Sequence, residues 1–234
     1  MVLKDMVDIH SHILPGLDDG PGDLDESVYI AEIAFREGIR KIICTPHAAR
    51  DYDDLIRAAG ESLTLLRGKL EEKGIPIYLQ LGFEVLVSRR LIDYENLKGL
   101  TFLWSGKPHM LLEFDFDKFP DCLDEALYLL KLENIQPIFA HPERYYYLHD
   151  NITFLKNMKS RGVKIQVNAG SITGIYGPTV KKFVRKIIKN GLIDFVATDT
   201  HSRGRRGPYM KQAVRLLENW TSEKTASALL NQNT

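Results

Sequence analysis

Seven short apolar runs punctuate this chain: Met6 to His10, Lys41 to Thr45, Ile77 to Leu81, Met110 to Leu112, Gln136 to Ala140, Lys164 to Val167 and Phe195 to Thr198. None shows the strict polar alternation of a strand with one wet face, so each reads as a strand of a parallel sheet covered by helices. Amphipathic segments lie between them. Val180, Phe183, Val184, Ile187 and Ile188 recur at helical spacing, with Asn190-Gly191 as the stop. Met210, Ala213, Val214 and Leu217 repeat the pattern, as do Val28, Ala31 and Phe35, ended by Gly38. This alternation, unbroken by any low-complexity linker, predicts a parallel α/β sheet, open or closed. Ser88 to Lys107 is less regular and is expected to hold an extra helix or hairpin over one rim.

A chain of 234 residues, 44% of them hydrophobic, can bury one full α/β core, and residues 1–234 are read as one domain. Thirty-one basic residues balance 31 acidic ones, so no strong field favours nucleic acid or an anionic membrane. Neither a signal-like apolar segment in Met1 to His10 nor a run of membrane-spanning length is present, which predicts a cytoplasmic protein without membrane insertion. Cys44 and Cys122 make neither a disulfide framework nor a thiolate metal site.

The chemistry lies at the strand ends. The first strand closes in His10-Ser11-His12, with Asp18-Asp19-Gly20 close behind. His47 follows the second, Glu84 the third, Glu113 the fourth, His141 the fifth, and Asp199 and His201 the seventh. Strand C-termini of a parallel sheet or barrel converge on one face. Side chains two apart on a strand point the same way, so His10 with His12, and Asp199 with His201, can serve one metal. A lone His after a strand is usually a structural residue, and Asp18-Asp19-Gly20 alone would be a turn. Joint placement after six of seven strands is what argues for a site. Nine candidate ligands, with Asp19 included, fit two or three divalent ions; imidazole and carboxylate without thiolate suit Mn, Fe or Zn. His109, read as preceding a strand, and His149, in a polar loop, are expected to be structural or solvated.

The segments DIHSHILPGLDDG, TPHA, GFEV, LLEF, HPERY, VNAGSITG and TDTH, in order from Asp8 to about Pro208, resemble the PHP family, specifically its CpsB/YwqE-type bacterial tyrosine phosphatases. The resemblance implies a distorted (β/α)7 TIM-like barrel with a trinuclear centre, most simply of manganese. By matching motif, His10, His12, Glu84 and Asp199 would hold the first metal. Glu84, Glu113 and His141 would hold the second, and Asp19, His47 and His201 the third, with Asp18 the alternative to Asp19. Such metals activate water for attack on phosphorus. Arg144 would bind the phosphoryl group and Arg206 would be the second phosphate-binding arginine, with Arg203 and Arg205 close enough to compete for that role. Asp199 is counted among the catalytic residues as well as the ligands. The resemblance further implies a phosphotyrosine protein as substrate, a bacterial tyrosine autokinase controlling capsule or exopolysaccharide synthesis. The competing readings are a PHP-type histidinol-phosphate or other small-molecule phosphatase and, from another class, a non-catalytic metal-stabilised binding module.

Tyr145-Tyr146-Tyr147 can offer an aromatic wall for a phosphotyrosine ring or pack at the rim, and packing is the reading for two of the three. Ser171 receives no role. Thr198, Thr200 and the Ala48-Ala49 pair depart from the family pattern and bear on substrate preference. One motif competes with the metal reading: Cys44 to Arg50 spells Cys-x5-Arg, the arrangement of thiolate-dependent tyrosine phosphatases. The loop lacks the glycines needed for a phosphate cradle, and Pro46 removes an N–H donor. Cys44 is therefore read as a small buried residue.

Overall fold

The computed structural model of the chain describes residues 5–49, 51–149 and 151–230. Strand β1 (Met6–Ser11) leads to helix α1 (Leu24–Arg36), β2 (Ile39–Cys44), β3 (His47–Ala48) and α2 (Tyr52–Glu72). Then come β4 (Tyr78–Leu81), β5 (Glu84–Leu86), α3 (Arg89–Ile92), β6 (Phe102–Trp104), β7 (Lys107–Glu113) and α4 (Leu123–Leu132). The rest is β8 (Gln136–Phe139), α5 (Ile152–Ser160), β9 (Lys164–Asn168), α6 (Ala169–Thr173), α7 (Pro178–Lys189), β10 (Phe195–Ala197), α8 (Met210–Trp220) and α9 (Glu223–Leu230). The helix stops follow the chemistry of their residues. After α7, Gly191 takes φ 66°, its N–H meets the Ile188 carbonyl and that of Leu192 meets Ile187, closing the helix in a Schellman turn.

Apart from β6, the strands pair in parallel, in the orders β1-β2-β4 and β10-β9-β8-β7-β5-β3. Strands β2 and β3 are two halves of one path, bent at Thr45-Pro46, and β4 and β5 are likewise bent at Gly82-Phe83. Hydrogen bonds cross the bends: Thr45 N–H to the Ser11 carbonyl at 2.9 Å, and Gly82 N–H to Cys44 at 2.9 Å. Gly82 is required there, because a Cβ would stand 2.9 Å from both Ile43 Cγ2 and Phe102 Cδ1. The sheet curls until its first and last strands touch, with Asp199 N–H donating to His10 O at 2.8 Å and His12 N–H to Thr200 O at 2.9 Å.

Curling gives the sheet a convex and a concave face. Ile42, Met110, Leu112, Phe139, Ile165, Val167 and Val196 pack outward against helix residues such as Ala31, Leu66, Leu130 and Val184. Their alternates Ile9, Ile43, Leu111, Ile138 and Phe195 form a separate inner cluster with Phe102 and Trp104. The irregular stretch after Ser88 thus yields both a short helix and a hairpin. The hairpin turns at Ser105-Gly106, both with positive φ, as a tight two-residue connection requires. Its Phe102 and Trp104 close the concave space from the N-terminal ends of the strands. His109 lies inside β7 rather than before it, because that strand already begins at Lys107; its Nδ1 stands 3.0 Å from the Lys107 carbonyl. Among the described residues no helix is long and apolar enough to cross a membrane.

Trp104 is almost wholly buried. Trp104→Ala is expected to cost about 3 kcal/mol of stability by cavity formation, read as a fall in the urea midpoint. Metal uptake at the opposite rim should survive in the folded variant.

Candidate metal centre

The apolar inner layer ends where the strand C-termini begin, and the next layer is polar. Register between β1 and β2 shifts between Asp8 and Ser11. This bulge lets Ile9 join the inner apolar cluster while the very next residue, His10, also serves the concave side, its Nδ1 3.1 Å from Gln166 Oε1. His10 and His12 then meet at 3.1 Å between their Nε2 atoms. Glu84 opens β5, Glu113 ends β7, and His141 and Asp199 follow β8 and β10 with positive φ of 32° and 52°. Side chains with a Cβ seldom adopt that region, and here it turns both toward the centre.

Glu84 is the hub. Its Oε2 stands 3.1 Å from Nε2 of both His10 and His12 and 3.2 Å from Nδ1 of His47, without hydrogen-bonding geometry to any of them. Its Oε1 lies 2.7 Å from His141 Nε2. Asp199 divides its oxygens. Oδ2 accepts from Asn168 Nδ2 at 2.6 Å and from Arg144 Nη1 at 3.1 Å. Oδ1, buried and without a hydrogen bond, faces His10 and His201 at 3.5 and 3.4 Å. Buried oxygens left unpaired among imidazole nitrogens are what a cation would satisfy.

Among the described residues three donor sets can hold an ion: His10, His12, Glu84 and Asp199; His47, Glu84 and Glu113; and His12, Asp19, His47 and His201. They overlap at Glu84, His12 and His47. His141 stands at the edge of the second set, 2.7 Å from Glu84 and 3.9 Å from Glu113. Within Asp18-Asp19 the two carboxylates divide the work. Asp18 Oδ2 meets His12 Nδ1 at 2.7 Å and accepts His47 N–H at 3.0 Å, while Asp19 reaches His47 and His201. Asp18 therefore orients His12 from behind.

Electrostatics agree with a cage built for positive charge. Burial disfavours the His10 imidazolium, but Glu84 and Asp199 outweigh it and lift its pKa to about 9. For His47 the same opposition, decided by Asp19 and Glu113, gives about 11. Asp8 answers to burial and rises to about 6 despite accepting from Thr198 N–H at 2.9 Å. Thr198 is thus part of the strand β1–β10 seam.

Sequence reasoning passed over the supports. Gln166 and Asn168 project inward from β9 and are joined at 2.8 Å; Gln166 contacts His10 and Asn168 holds Asp199. Their signal was present as two amides at alternate positions of an apolar strand. Glu143, fully buried, accepts Asn168 N–H at 2.8 Å, and burial pushes its carboxyl up. Arg206 donates to Asp19 Oδ2 at 2.6 Å and lies 2.7 Å from His201 Nε2, so of the three neighbouring arginines it is the one at the cluster. Arg203 lies over Tyr29 instead, and Arg205 toward the Ile175 carbonyl. His149 Nε2 is 2.6 Å from the Glu143 carbonyl, a structural role. Ser171 is buried beneath, away from solvent.

The sequence matches, over residues 6–234, the family described as capsular polysaccharide synthesis, CpsB/CapC. The chain belongs to that family. It is 34% identical over 214 residues to the tyrosine-protein phosphatase YwqE of Bacillus subtilis, covering 91% of this chain and 84% of that one. It is 30% identical to a putative tyrosine-protein phosphatase CapC of Staphylococcus aureus, covering 88% and 81%. A crystal structure from work on YwqE and Streptococcus pneumoniae CpsB, called unique metal-dependent tyrosine phosphatases, superposes with a TM-score of 0.83 at 31% identity, over 96% of this chain and 91% of that one. A dihydropyrimidinase from Brevibacillus agri, at 14% identity and a TM-score of 0.55 over 97% of this chain and 69% of its own, shares the fold alone.

The Cys-x5-Arg motif has no place in this centre. Cys44 is fully buried in the outer, helix-facing core, and burial pushes its thiol far up, whereas a nucleophilic thiolate needs the reverse. Arg50 lies outside the described residues. With Cys122 also buried, both thiols should resist a disulfide reagent in the native protein and both should react in denaturant; a fast-reacting native thiol would contradict this packing. Asp18→Ala is expected to weaken metal binding about 10- to 100-fold, measured by competition with a chelator, by freeing the His12 ring.

Proposed function

We propose that this chain is a metal-dependent phosphomonoesterase that hydrolyses phosphotyrosine in protein. The observation that carries the reading is the meeting of three overlapping imidazole–carboxylate sets with two guanidinium groups at one rim. The ligands would be His10, His12, Asp19, His47, Glu84, Glu113, His141, Asp199 and His201, arranged for two or three divalent ions, manganese first, with iron or zinc as alternatives. The strand-helix alternation is taken as a (β/α)7 barrel, and residues 1–234 as one phosphoesterase domain.

Bound metal ions supply water of lowered pKa and positive charge for the phosphoryl oxygens. The rest is done by the chain. Arg144 and Arg206 approach Asp199 from different sides, at 3.1 Å from Oδ2 and 3.7 Å from Oδ1, so a phosphoryl group above Asp199 can accept from both. Arg144 is held ready by Asp199 and by the faces of Phe116 and Tyr176, 4.9 and 5.0 Å from its Cζ. Asn168 fixes the Asp199 carboxylate, and Asp18 fixes His12.

The curated relatives carry tyrosine-phosphatase names and the family name refers to capsular polysaccharide. The proposed substrate is accordingly a phosphorylated bacterial tyrosine autokinase governing capsule or exopolysaccharide synthesis. The same reading carries a cytoplasmic location, where protein tyrosines are phosphorylated from ATP.

The test strips the protein with chelator and measures phosphate release from a phosphotyrosine peptide and from histidinol phosphate, with and without Mn²⁺. Release from the peptide restored by Mn²⁺ is expected, lost in Asp199→Asn and reduced about 100-fold in Arg144→Ala. Cys44→Ser should retain full activity. Turnover of histidinol phosphate alone would move the substrate to a small molecule, and activity in chelator abolished by Cys44→Ser would overturn the metal reading.

A further inference from the structure

Packing, the reading for two of the three tyrosines in the run, is what Tyr145 and Tyr147 do. Tyr145 has no exposed surface: its ring stacks on Phe139 and its hydroxyl accepts Phe114 N–H at 2.9 Å. Tyr147 is tied to the Asp115 carbonyl at 2.8 Å, and Tyr146 lies against His149. Beside the metal-donor cluster, however, opens a cleft of about 310 Å³. Among its lining residues are the donors His47, Glu84 and Glu113 together with Ala48, Leu86 and Phe116.

Phe116 stands out among these. It is 43% exposed, although Phe114 and Tyr145 already fill the core beneath it. Its ring lies nearly parallel to His141, at 12° and 6.0 Å between centroids, and beside the Arg144 guanidinium. One large aromatic side chain is therefore left in water at the mouth of the site, next to a metal-donor imidazole and a phosphate-binding arginine. Aromatic rings gain from offset or edge contact with another ring beyond simple burial. Ala48, which also lines the cleft, is small and leaves room for one.

We infer that Phe116 selects aryl over alkyl phosphate esters. With the phosphoryl group at the donor cluster and Arg144, the ring of an aryl ester lies in the cleft against Phe116, facing Ala48 and Leu86. A phosphoserine side chain, with one carbon beyond its ester oxygen before the backbone, leaves that wall empty. The inference rests on the phosphotyrosine reading and names the residue that would make the distinction.

The test compares kcat and KM of the manganese-loaded protein on a phosphotyrosine peptide and on the same peptide with phosphoserine. Binding of a peptide carrying phosphonomethyl-phenylalanine, which cannot be hydrolysed, is measured by calorimetry. In Phe116→Ala the ratio of kcat/KM for aryl over alkyl ester should fall about 5- to 10-fold, through KM, with the phosphonate peptide weakened by a similar factor. Phe116→Trp should restore the ratio and Phe116→Leu should not. An equal loss on both esters, a loss confined to kcat with altered manganese content, or an unaltered ratio would each overturn the inference. If the unmodified protein releases no phosphate from the aryl ester, the phosphotyrosine reading itself fails before any variant is compared.

Discussion

A fully buried carboxylate, Glu84, surrounded by four imidazoles is the feature on which the upper half of this molecule depends. Its oxygens lie within 3.2 Å of nitrogens of His10, His12, His47 and His141. Such a group is tolerated in a low-dielectric interior only if positive charge meets it, and breaking one member strands the others. The chain meets it with imidazole nitrogens, arginines at the rim and donor sets shaped for cations. The second ring of polar residues exists for the same reason: Asp18 behind His12, Gln166 behind His10 and Asn168 behind Asp199 fix groups that would otherwise lose definition.

The concave space of the sheet is divided along the strand axis. Toward the N-terminal ends it is filled by Ile9, Ile43, Leu111, Ile138 and Phe195 and stoppered by Phe102 and Trp104. Toward the C-terminal ends it holds the charged cluster. The apolar half closes the space from below and gives the polar half a rigid floor, which helps the imidazole and carboxylate donors keep their spacing. The bulge in β1 is the joint between the two, since it allows Ile9 and His10 to serve both layers from adjacent positions.

Much of this was readable along the chain. The apolar runs gave the strands, because burial on both faces removes polar alternation, and the residues at the ends of six of the seven runs gave the donors. Asn190-Gly191 and Gly38 marked helix ends through the backbone freedom of glycine. What stayed hidden were contacts between residues far apart in sequence and of ordinary type. Phe116 reads as one aromatic among several in a polar loop, and only the fold sets it beside His141 and Arg144. Gln166 and Asn168 read as polar lapses in a strand. Arg206 could not be separated from Arg203 and Arg205, since a loop has no period to fix which side chain turns inward.

By itself the sequence determined the class of architecture, the rim on which donors gather and the exclusion of a reactive Cys44, all of which follow from local periodicity and residue chemistry. Tertiary structure alone decided how the donor sets overlap. His12 and His47 each fall into two sets, and Asp18 stands behind the cluster while Asp19 enters it. The physical reason is that grouping depends on angles between strands brought together by the curl of the sheet, and on a single-residue bulge, and neither leaves a trace in the local order of side chains.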